Sequence, residues 1–165
     1  MLVRTETALT YAGARVALDA ALARAEQIGG AFNVAVTDTA GALLAFARMD
    51  GAFAVSGSIA QDKAWTVAGF GGLPTDTFYD AIAGEDAVRE GIGQRGRVAA
   101  FAGGVPVLVD GAFVGAVGAS GGSAEQDKDV AFAGAAAVVA ALVALATSPT
   151  AAVGTHRTPR GEDAR

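Results

Sequence analysis

Cysteine is absent from this chain of 165 residues, and histidine and tryptophan each occur once. Without cysteine the chain forms no disulfide, thiolate nucleophile, iron–sulfur cluster or zinc finger. The single histidine, His156, lies near the C-terminus in a segment that contains proline. A Ser-His-Asp triad within the folded part is therefore excluded, since no histidine there can activate a serine.

Basic residues are also few. Lysine and arginine number 12 against 17 aspartate and glutamate, which gives a formal net charge of −5. No basic stripe exists to neutralise phosphates, so a nucleic-acid partner is excluded. The N-terminus has no continuous apolar segment of the kind that secretory signals carry. Together with the missing cysteines, this predicts a cytoplasmic protein.

Hydrophobic residues make up 52% of the chain and charged residues only 18%, a balance that excludes a disordered protein. The length suits one domain, which we predict at 1–146, followed by a polar tail at 147–165. The segment 130–146 contains no charge, but it is short for a bilayer and rich in alanine. We predict a helix buried on most sides at a subunit interface, with no membrane partner.

The most informative segment is 101–122. Asp110 and Gly111 separate two apolar runs, 105–109 and 112–119, and predict a tight β-hairpin. Glycine pairs flank this hairpin at 103–104 and 121–122. Glycine allows unusual backbone angles and the close approach of another chain or a ligand, so these corners predict the rim of a site.

Hydrophobic spacing predicts the remaining elements. Helices are expected at 7–28, 55–69 and 75–83, strands at 32–37 and 42–48, a weak strand at 98–101, and a turn at 85–91. Ser123 and Gln126 have capping-box spacing before the last helix. Antiparallel hairpins with flanking helices predict an α+β fold.

Four separated segments resemble one family in the same order. They are RMDGA at 48–52, Ser56 with QDKA at 61–64, GGVPVLVDG at 103–111, and VGAVGASGG with QD at 114–127. The chain thus resembles the GlcG/HbpS family of haem-degrading-like proteins, relatives of the C-terminal domain of PduO-type proteins. The resemblance implies a five-stranded antiparallel sheet flanked by helices, in a profilin-like layout, and homo-oligomers from dimers to octamers.

For function, the resemblance implies binding of haem or a related tetrapyrrole, and one family member acts beside a sensor kinase. We predict an oligomeric protein that binds a planar or anionic small molecule. A haem iron needs an axial ligand, and Met49, Tyr11, Tyr79 and Lys63 are the available choices. Two alternatives stay open: a cofactor-independent enzyme acting on a small carbonyl or carboxylic substrate, and a regulatory subunit that recognises another protein.

Asp50 and Lys63 are the candidate catalytic residues if the protein is an enzyme. A lysine in an alanine-rich helix is suited to a lowered pKa and to work as a base, a Schiff-base amine or a carboxylate anchor. The structural alternative is a salt bridge that fixes the helix, with Asp50 capping its turn. The predicted ligand-binding residues are Arg48, Asp50, Ser56, Lys63, Phe101, Gly103, Gly104, Pro106, Ser120 and Gly121.

Other candidates each have two interpretations. Ser120, Gly121 and Gly122 suit an anion cradle of backbone N–H groups or an ordinary helix cap. Acidic residues in the first turn of the last helix either interact favourably with the helix dipole or bind a metal ion. The dipole alone explains their position, so we predict no metal site. The remaining candidates are Arg95 and Arg97 for carboxylates, and Trp65 and Phe70 for stacking on a ring or packing in the core.

Overall fold

A computed structural model describes residues 2–3 and 5–147, so His156 and the tail beyond Thr147 lie outside the described residues. Five helices and four strands follow one another along this part of the chain. In chain order they are α1 (Tyr11–Gln27), β1 (Asn33–Thr37), β2 (Leu43–Arg48), α2 (Ser56–Gly69), α3 (Thr75–Ile82), α4 (Asp86–Gly93), β3 (Gly104–Val109), β4 (Ala112–Ser120) and α5 (Ala124–Thr147).

The strands form one antiparallel sheet in the order β2-β1-β4-β3. Strand β1 lies inside the sheet, and all five of its residues are buried. Helices α1 and α5 cover one face of the sheet and α2 covers the other. The predicted α+β fold is therefore confirmed, and β1 is buried on both faces because both are covered.

The expected five-stranded sheet has four strands in the described residues, since 98–101 forms no strand. A side chain on α2 explains the difference. The Thr66 hydroxyl accepts a hydrogen bond from the Ala99 amide at 2.9 Å and donates to the Arg97 carbonyl at 3.2 Å. These backbone groups are therefore bound to a helix side chain, and β3 becomes the edge strand.

The turn predicted at 85–91 is instead part of α4. Arg89 stabilises this short helix through an ion pair with Asp86, three residues earlier, at 2.8 Å. The same guanidinium donates to the carbonyl of Ala83, at the end of the preceding helix. One side chain thus links α3 to α4.

The local signals at the hairpin and at the last helix are confirmed. Asp110 and Gly111 have φ of 50° and 78°, the left-handed values that this tight turn requires. Before α5, the Ser123 amide donates to Gln126 Oε1 at 2.9 Å, and the Gln126 amide donates to Ser123 Oγ at 3.2 Å. This reciprocal pair satisfies two backbone donors at the helix start.

Helix α2 lies unusually close to the sheet at Gly118 of β4. A Cβ atom on Gly118 would lie 2.1 Å from the Ala60 carbonyl oxygen and 2.7 Å from the Ala64 amide nitrogen. Small residues on both sides, among them Ala35 and Ala116, complete this contact. The helix is therefore positioned backbone against backbone, which fixes where its side chains reach the sheet.

Helix α5 packs on the core with one side only. A Cβ atom on Gly134 would lie 2.6 Å from the Ala17 carbonyl oxygen, so α1 and α5 touch closely through small residues. On the other side of α5, the side chains of Phe132, Val143 and Leu145 are exposed. A single chain therefore covers only one side of α5, and burial of the other side at a subunit interface stays a prediction. By length and composition alone, α5 could also cross a membrane.

Candidate functional site

Lys63 of α2 is completely buried between the helix layer and the sheet. Its Nζ atom lies 2.6 Å from Asp127 Oδ2 on α5 and donates a second hydrogen bond to the Ala119 carbonyl at 3.0 Å. This cluster therefore ties α2, β4 and α5 together. Of the two predicted roles for Lys63, the structural ion pair is the one observed, and its partner is Asp127 rather than Asp50.

The second carboxylate oxygen of Asp127 is also bound. Oδ1 accepts hydrogen bonds from the amides of Gly121 and Gly122 at 2.9 and 3.0 Å. These amides belong to the predicted anion cradle, and the anion that they bind is the protein's own Asp127. Both oxygens of this buried carboxylate therefore accept hydrogen bonds, three in all, which offsets the cost of burying its charge.

The glycine corner at 103–104 closes around the same pair. Gly103 has a φ of 119°, and a Cβ atom there would lie 2.6 Å from Lys63 Nζ and 2.7 Å from the Cβ atom of Asp127. A Cβ atom on Gly104 would lie 2.7 Å from the Lys63 carbonyl oxygen. Glycine is needed here because the ion pair fills the space, so the corner holds no open cleft.

Burial determines the electrostatics of Lys63. Removal from water disfavours the charged ammonium and lowers its pKa below the ordinary value, while the hydrogen bond and charge of Asp127 oppose this shift. The Phe101 ring lies over the ammonium, with Nζ 4.7 Å from the ring centroid. Because Phe101 is 48% exposed, this ring separates the buried amine from the surface.

The segments that meet at this ion pair lie within a longer region that matches a known family. Lys63, Gly103 and Asp127 come from three of the four segments that carry the resemblance, and a model described as "Haem degrading protein HbpS-like" matches residues 9–136. The chain belongs to the HbpS-like family. Three of the segments that carry the resemblance thus contribute to one internal structural cluster.

Individual relatives agree with this assignment. The chain is 35% identical over 121 residues to a 15.0 kDa protein of Citrobacter freundii, covering 73% of this chain and 84% of that protein. It is 33% identical over 118 residues to Escherichia coli GlcG, covering 72% of this chain and 85% of GlcG. It is also 33% identical over 129 residues to the corrinoid adenosyltransferase PduO of Salmonella typhimurium, covering 77% of this chain but only 38% of PduO.

Solved structures of HbpS-like proteins have the same fold. The crystal structure of Klebsiella pneumoniae ORFY matches with a TM-score of 0.79 and 29% identity, over 85% of this chain and 97% of ORFY. The crystal structure of a PduOC–haem complex matches with a TM-score of 0.72 and 32% identity, over 79% of this chain and 95% of that one.

The other predicted ligand-binding residues are spread over the HbpS-like fold. Asp50 is exposed in the turn after β2, and Pro106 lies on the edge strand. Arg48 and Ser120 flank the same residue of β1, because both are register partners of Asn33. The Arg48 Nε atom donates to the Ala52 carbonyl at 3.1 Å, which stabilises the turn that contains Asp50.

Asn33 is a buried polar residue that the sequence patterns did not indicate. Its Nδ2 atom donates to the Phe53 carbonyl at 3.0 Å, while Oδ1 has no hydrogen-bond partner within the described residues. Ser56, at the start of α2, is also buried. The available signal was the position of Asn33, a polar residue that directly precedes the apolar residues 34–36 and lies on the face that α2 covers.

Two of the acidic residues around the start of α5 have separate partners. Asp129 pairs with Arg24 of α1 at 2.7 Å, and Asp127 is bound as described above. Within the described residues, no group of three His, Asp or Glu side chains is arranged to hold a metal ion.

Three concave surfaces of the HbpS-like chain are lined by residues outside the glycine corners. One of about 310 Å³ is lined by Tyr79, Phe101 and two aspartates of α3. A second, of about 500 Å³, lies between α2 and α4 and includes Trp65 and Arg95. A third, of about 650 Å³ and almost wholly apolar, lies between β3 and α5 and includes Pro106. These surfaces, rather than the closed ion pair, are accessible to ligands or partners.

Proposed function

We propose that this HbpS-like protein is a homo-oligomer that binds a planar or anionic small molecule and does not catalyse a reaction through Lys63. One observation carries the proposal, namely the closed environment of the one candidate catalytic amine. Lys63 has no exposed surface, and it binds Asp127 and the Ala119 carbonyl. A Schiff-base or general-base lysine must reach its substrate, and this one is separated from solvent by Phe101.

The predicted enzymatic pair also lacks its second member. Asp50 is exposed on a turn, whereas the carboxylate that binds Lys63 is Asp127, whose two oxygens are occupied. An enzyme built on Lys63 would first have to break an ion pair buried in the core, at a cost of several kcal/mol. Binding at the surface needs no such rearrangement.

Haem is the first ligand to test, because a relative 32% identical to this chain was crystallised as a haem complex. Three of the candidate axial ligands, Lys63, Met49 and Tyr79, do not suit a firmly ligated haem iron, and Tyr11 lies exposed at the start of α1. Lys63 is buried, and the Met49 sulfur accepts a hydrogen bond from the Phe32 amide at 3.4 Å. Tyr79 lines a groove that also contains Asp76 and Asp80, whose charges oppose haem propionates. We therefore favour recognition of the flat ring and its carboxylates over iron ligation.

Assembly is supported by the exposed apolar side of α5. Phe132, Val139 and Leu142 are 62%, 40% and 43% exposed, and the edge strand β3 lies beside them. Apolar area of this kind normally marks an interaction surface. A second copy of the chain is the occupant that we propose, since it would cover both the helix and the unpaired strand edge.

A titration of the full chain with hemin and with iron-free protoporphyrin IX tests the function. We expect both to bind saturably, with dissociation constants within a few-fold of each other, because recognition uses the ring and the carboxylates. Binding of hemin alone would instead indicate an iron ligand and would contradict this mode of recognition. If neither tetrapyrrole binds, the tetrapyrrole version of the proposal is wrong.

A further inference from the structure

The groove between α2 and α4 has features of a small-molecule site that are independent of the family resemblance. Its volume of about 500 Å³ lies within the range of ligand pockets in proteins. Its walls are mainly apolar and include the aromatic side chains of Trp65 and Phe70 with the aliphatic side chains of Val88, Ile92 and Val98. Arg95 is the one charged residue in this lining.

The aromatic walls are held in place before any ligand arrives. The Arg97 guanidinium lies 4.9 Å from the centroid of the Trp65 ring, and its Nε atom pairs with Asp62 at 3.0 Å. Phe70 stacks on Phe78 with ring centroids 4.1 Å apart. Fixed aromatic rings reduce the ordering that a ligand must induce on binding, which favours affinity.

Arg95 differs from the other arginines of the described residues. Each of the others donates to an acidic side chain or a backbone carbonyl: Arg15 to Asp19, Arg24 to Asp129, Arg48 to Ala52, Arg89 to Asp86 and Arg97 to Asp62. The Arg95 guanidinium has no partner within the part of the chain that the structure describes. Its donors are therefore available to a carboxylate, the anion whose geometry a guanidinium matches.

We propose that this groove binds an aromatic monocarboxylate, with the ring against Trp65 and Phe70 and the carboxylate on Arg95. The inference rests on the proposed binding function and assigns it a site and a ligand class. The formal net charge of −5 would repel an anionic ligand from most of the surface. A carboxylate therefore needs a local basic side chain without an acidic partner, and Arg95 supplies one.

Gly91 of α4 allows the groove to be filled without disturbing the core. A Cβ atom there would meet nothing within 4 Å, and the same holds for Gly84 outside the groove. Leucine has a higher helix propensity than glycine, so Gly91→Leu should fold and occupy ligand space. Gly84→Leu serves as its control.

The test uses naphthoate and its neutral amide, naphthamide, in calorimetric titrations of the full chain. Trp65 is the only tryptophan, so its emission, corrected for probe absorbance, reports on the groove directly. We expect Arg95→Gln to weaken naphthoate binding by roughly tenfold or more, as loss of a charge-assisted contact predicts, and to change naphthamide binding less than about twofold. Gly91→Leu should weaken both probes, whereas Gly84→Leu and Arg15→Gln should weaken neither.

The outcomes separate the site from the function. Equal effects of Arg95→Gln on both probes, or binding without a change in Trp65 emission, would overturn the groove assignment. A different result would reject this site but keep the binding function. In that case the unmodified chain, Arg95→Gln and Gly91→Leu would all bind hemin and protoporphyrin equally well, and naphthoate binding would be the same for all three. Naphthoate binding that depends on Arg95, without tetrapyrrole binding, would support the site and reject haem as its ligand.

Discussion

Lys63 Nζ and Asp127 Oδ2 lie 2.6 Å apart in the protein interior although 64 positions separate them in the chain. The pair joins α2 to α5 across the end of β4, and its remaining hydrogen bonds go to backbone groups on both sides of that strand's end. Three segments that carry the family resemblance thus contribute to one structural element. The resemblance therefore identifies the fold more directly than it identifies a ligand.

Breaking this pair on one side should be strongly destabilising. Lys63→Met leaves a buried carboxylate without its cation, and we expect a loss of about 3–5 kcal/mol in the free energy of unfolding. Adding Asp127→Asn should restore part of the loss, because the asparagine oxygen can still accept from the Gly121 and Gly122 amides. Urea denaturation of the single and double variants measures the coupling.

The control for this cycle is the exposed pair Arg15–Asp19, whose atoms lie 4.0 Å apart. Arg15→Met should cost less than about 1 kcal/mol, as is usual for surface pairs. If Lys63→Met costs as little as Arg15→Met, the pair does not stabilise the fold, and breaking it during catalysis by Lys63 would not be costly.

Gly118 provides a second test, of the contact between α2 and the sheet. Gly118→Ala would bring Cβ to within 2.1 Å of a helix carbonyl, so α2 must shift, and we expect a loss of at least about 3 kcal/mol. Gly69→Ala, at the end of the same helix, meets nothing within 4 Å and should be neutral or gain up to about 1 kcal/mol. Thermal unfolding of both variants measures the difference; similar melting temperatures would show that the close contact can relax.

Local chemistry made much of this fold predictable. Asp110 with Gly111 and Ser123 with Gln126 act within a few residues, so the sequence alone indicated the hairpin and the helix cap. The false strand at 98–101 has a different origin. Its backbone is bound by Thr66, more than thirty residues earlier, and strand propensity contains no information on such a partner.

The site was less predictable for the same reason. Lys63 stood out as a lone charge in an apolar helix, but the choice between Asp50 and Asp127 as its partner depends on how α5 packs. The first-turn position of Asp127 was already explained by the helix dipole, which hid its second role. Arg95 was one of two arginines proposed to bind carboxylates, and only the structure distinguishes it from Arg97, because Arg95 has no partner within the described residues.

The ion pair between Asp76 of α3 and Lys128 of α5 predicts a stability change in acid. Burial raises the pKa of Asp76, but hydrogen bonds from Lys128 and the Thr77 amide outweigh that and hold it below its usual value. The folded state therefore releases this proton more readily than the unfolded state, so its stabilisation is present above about pH 4 and is lost as the pH falls through the folded pKa.

Comparison with Asp76→Asn measures this effect. The unmodified chain should be more stable than the variant at neutral pH, by less than about 1 kcal/mol for a partly exposed pair, and the difference should shrink in acid. In a Lys128→Met background the difference should be smaller at neutral pH and should change less with pH. A difference between the two chains that stays constant from neutral to acidic pH would contradict the assignment.

The last prediction concerns assembly through the exposed side of α5. Phe132→Glu with Val139→Glu places two charges on that side without touching the buried residues of the helix, so circular dichroism should show an unchanged fold. If a second copy covers this surface, light scattering after size exclusion should show a smaller particle for the double variant than for the unmodified chain.

Leu43→Glu, on the opposite edge strand β2, is the matched control, because Leu43 is also exposed. Dissociation by Leu43→Glu but not by the α5 variant would locate the interface at β2 instead. A particle that is monomeric before any substitution would reject the proposed oligomer, and the apolar side of α5 would then need another partner to cover it.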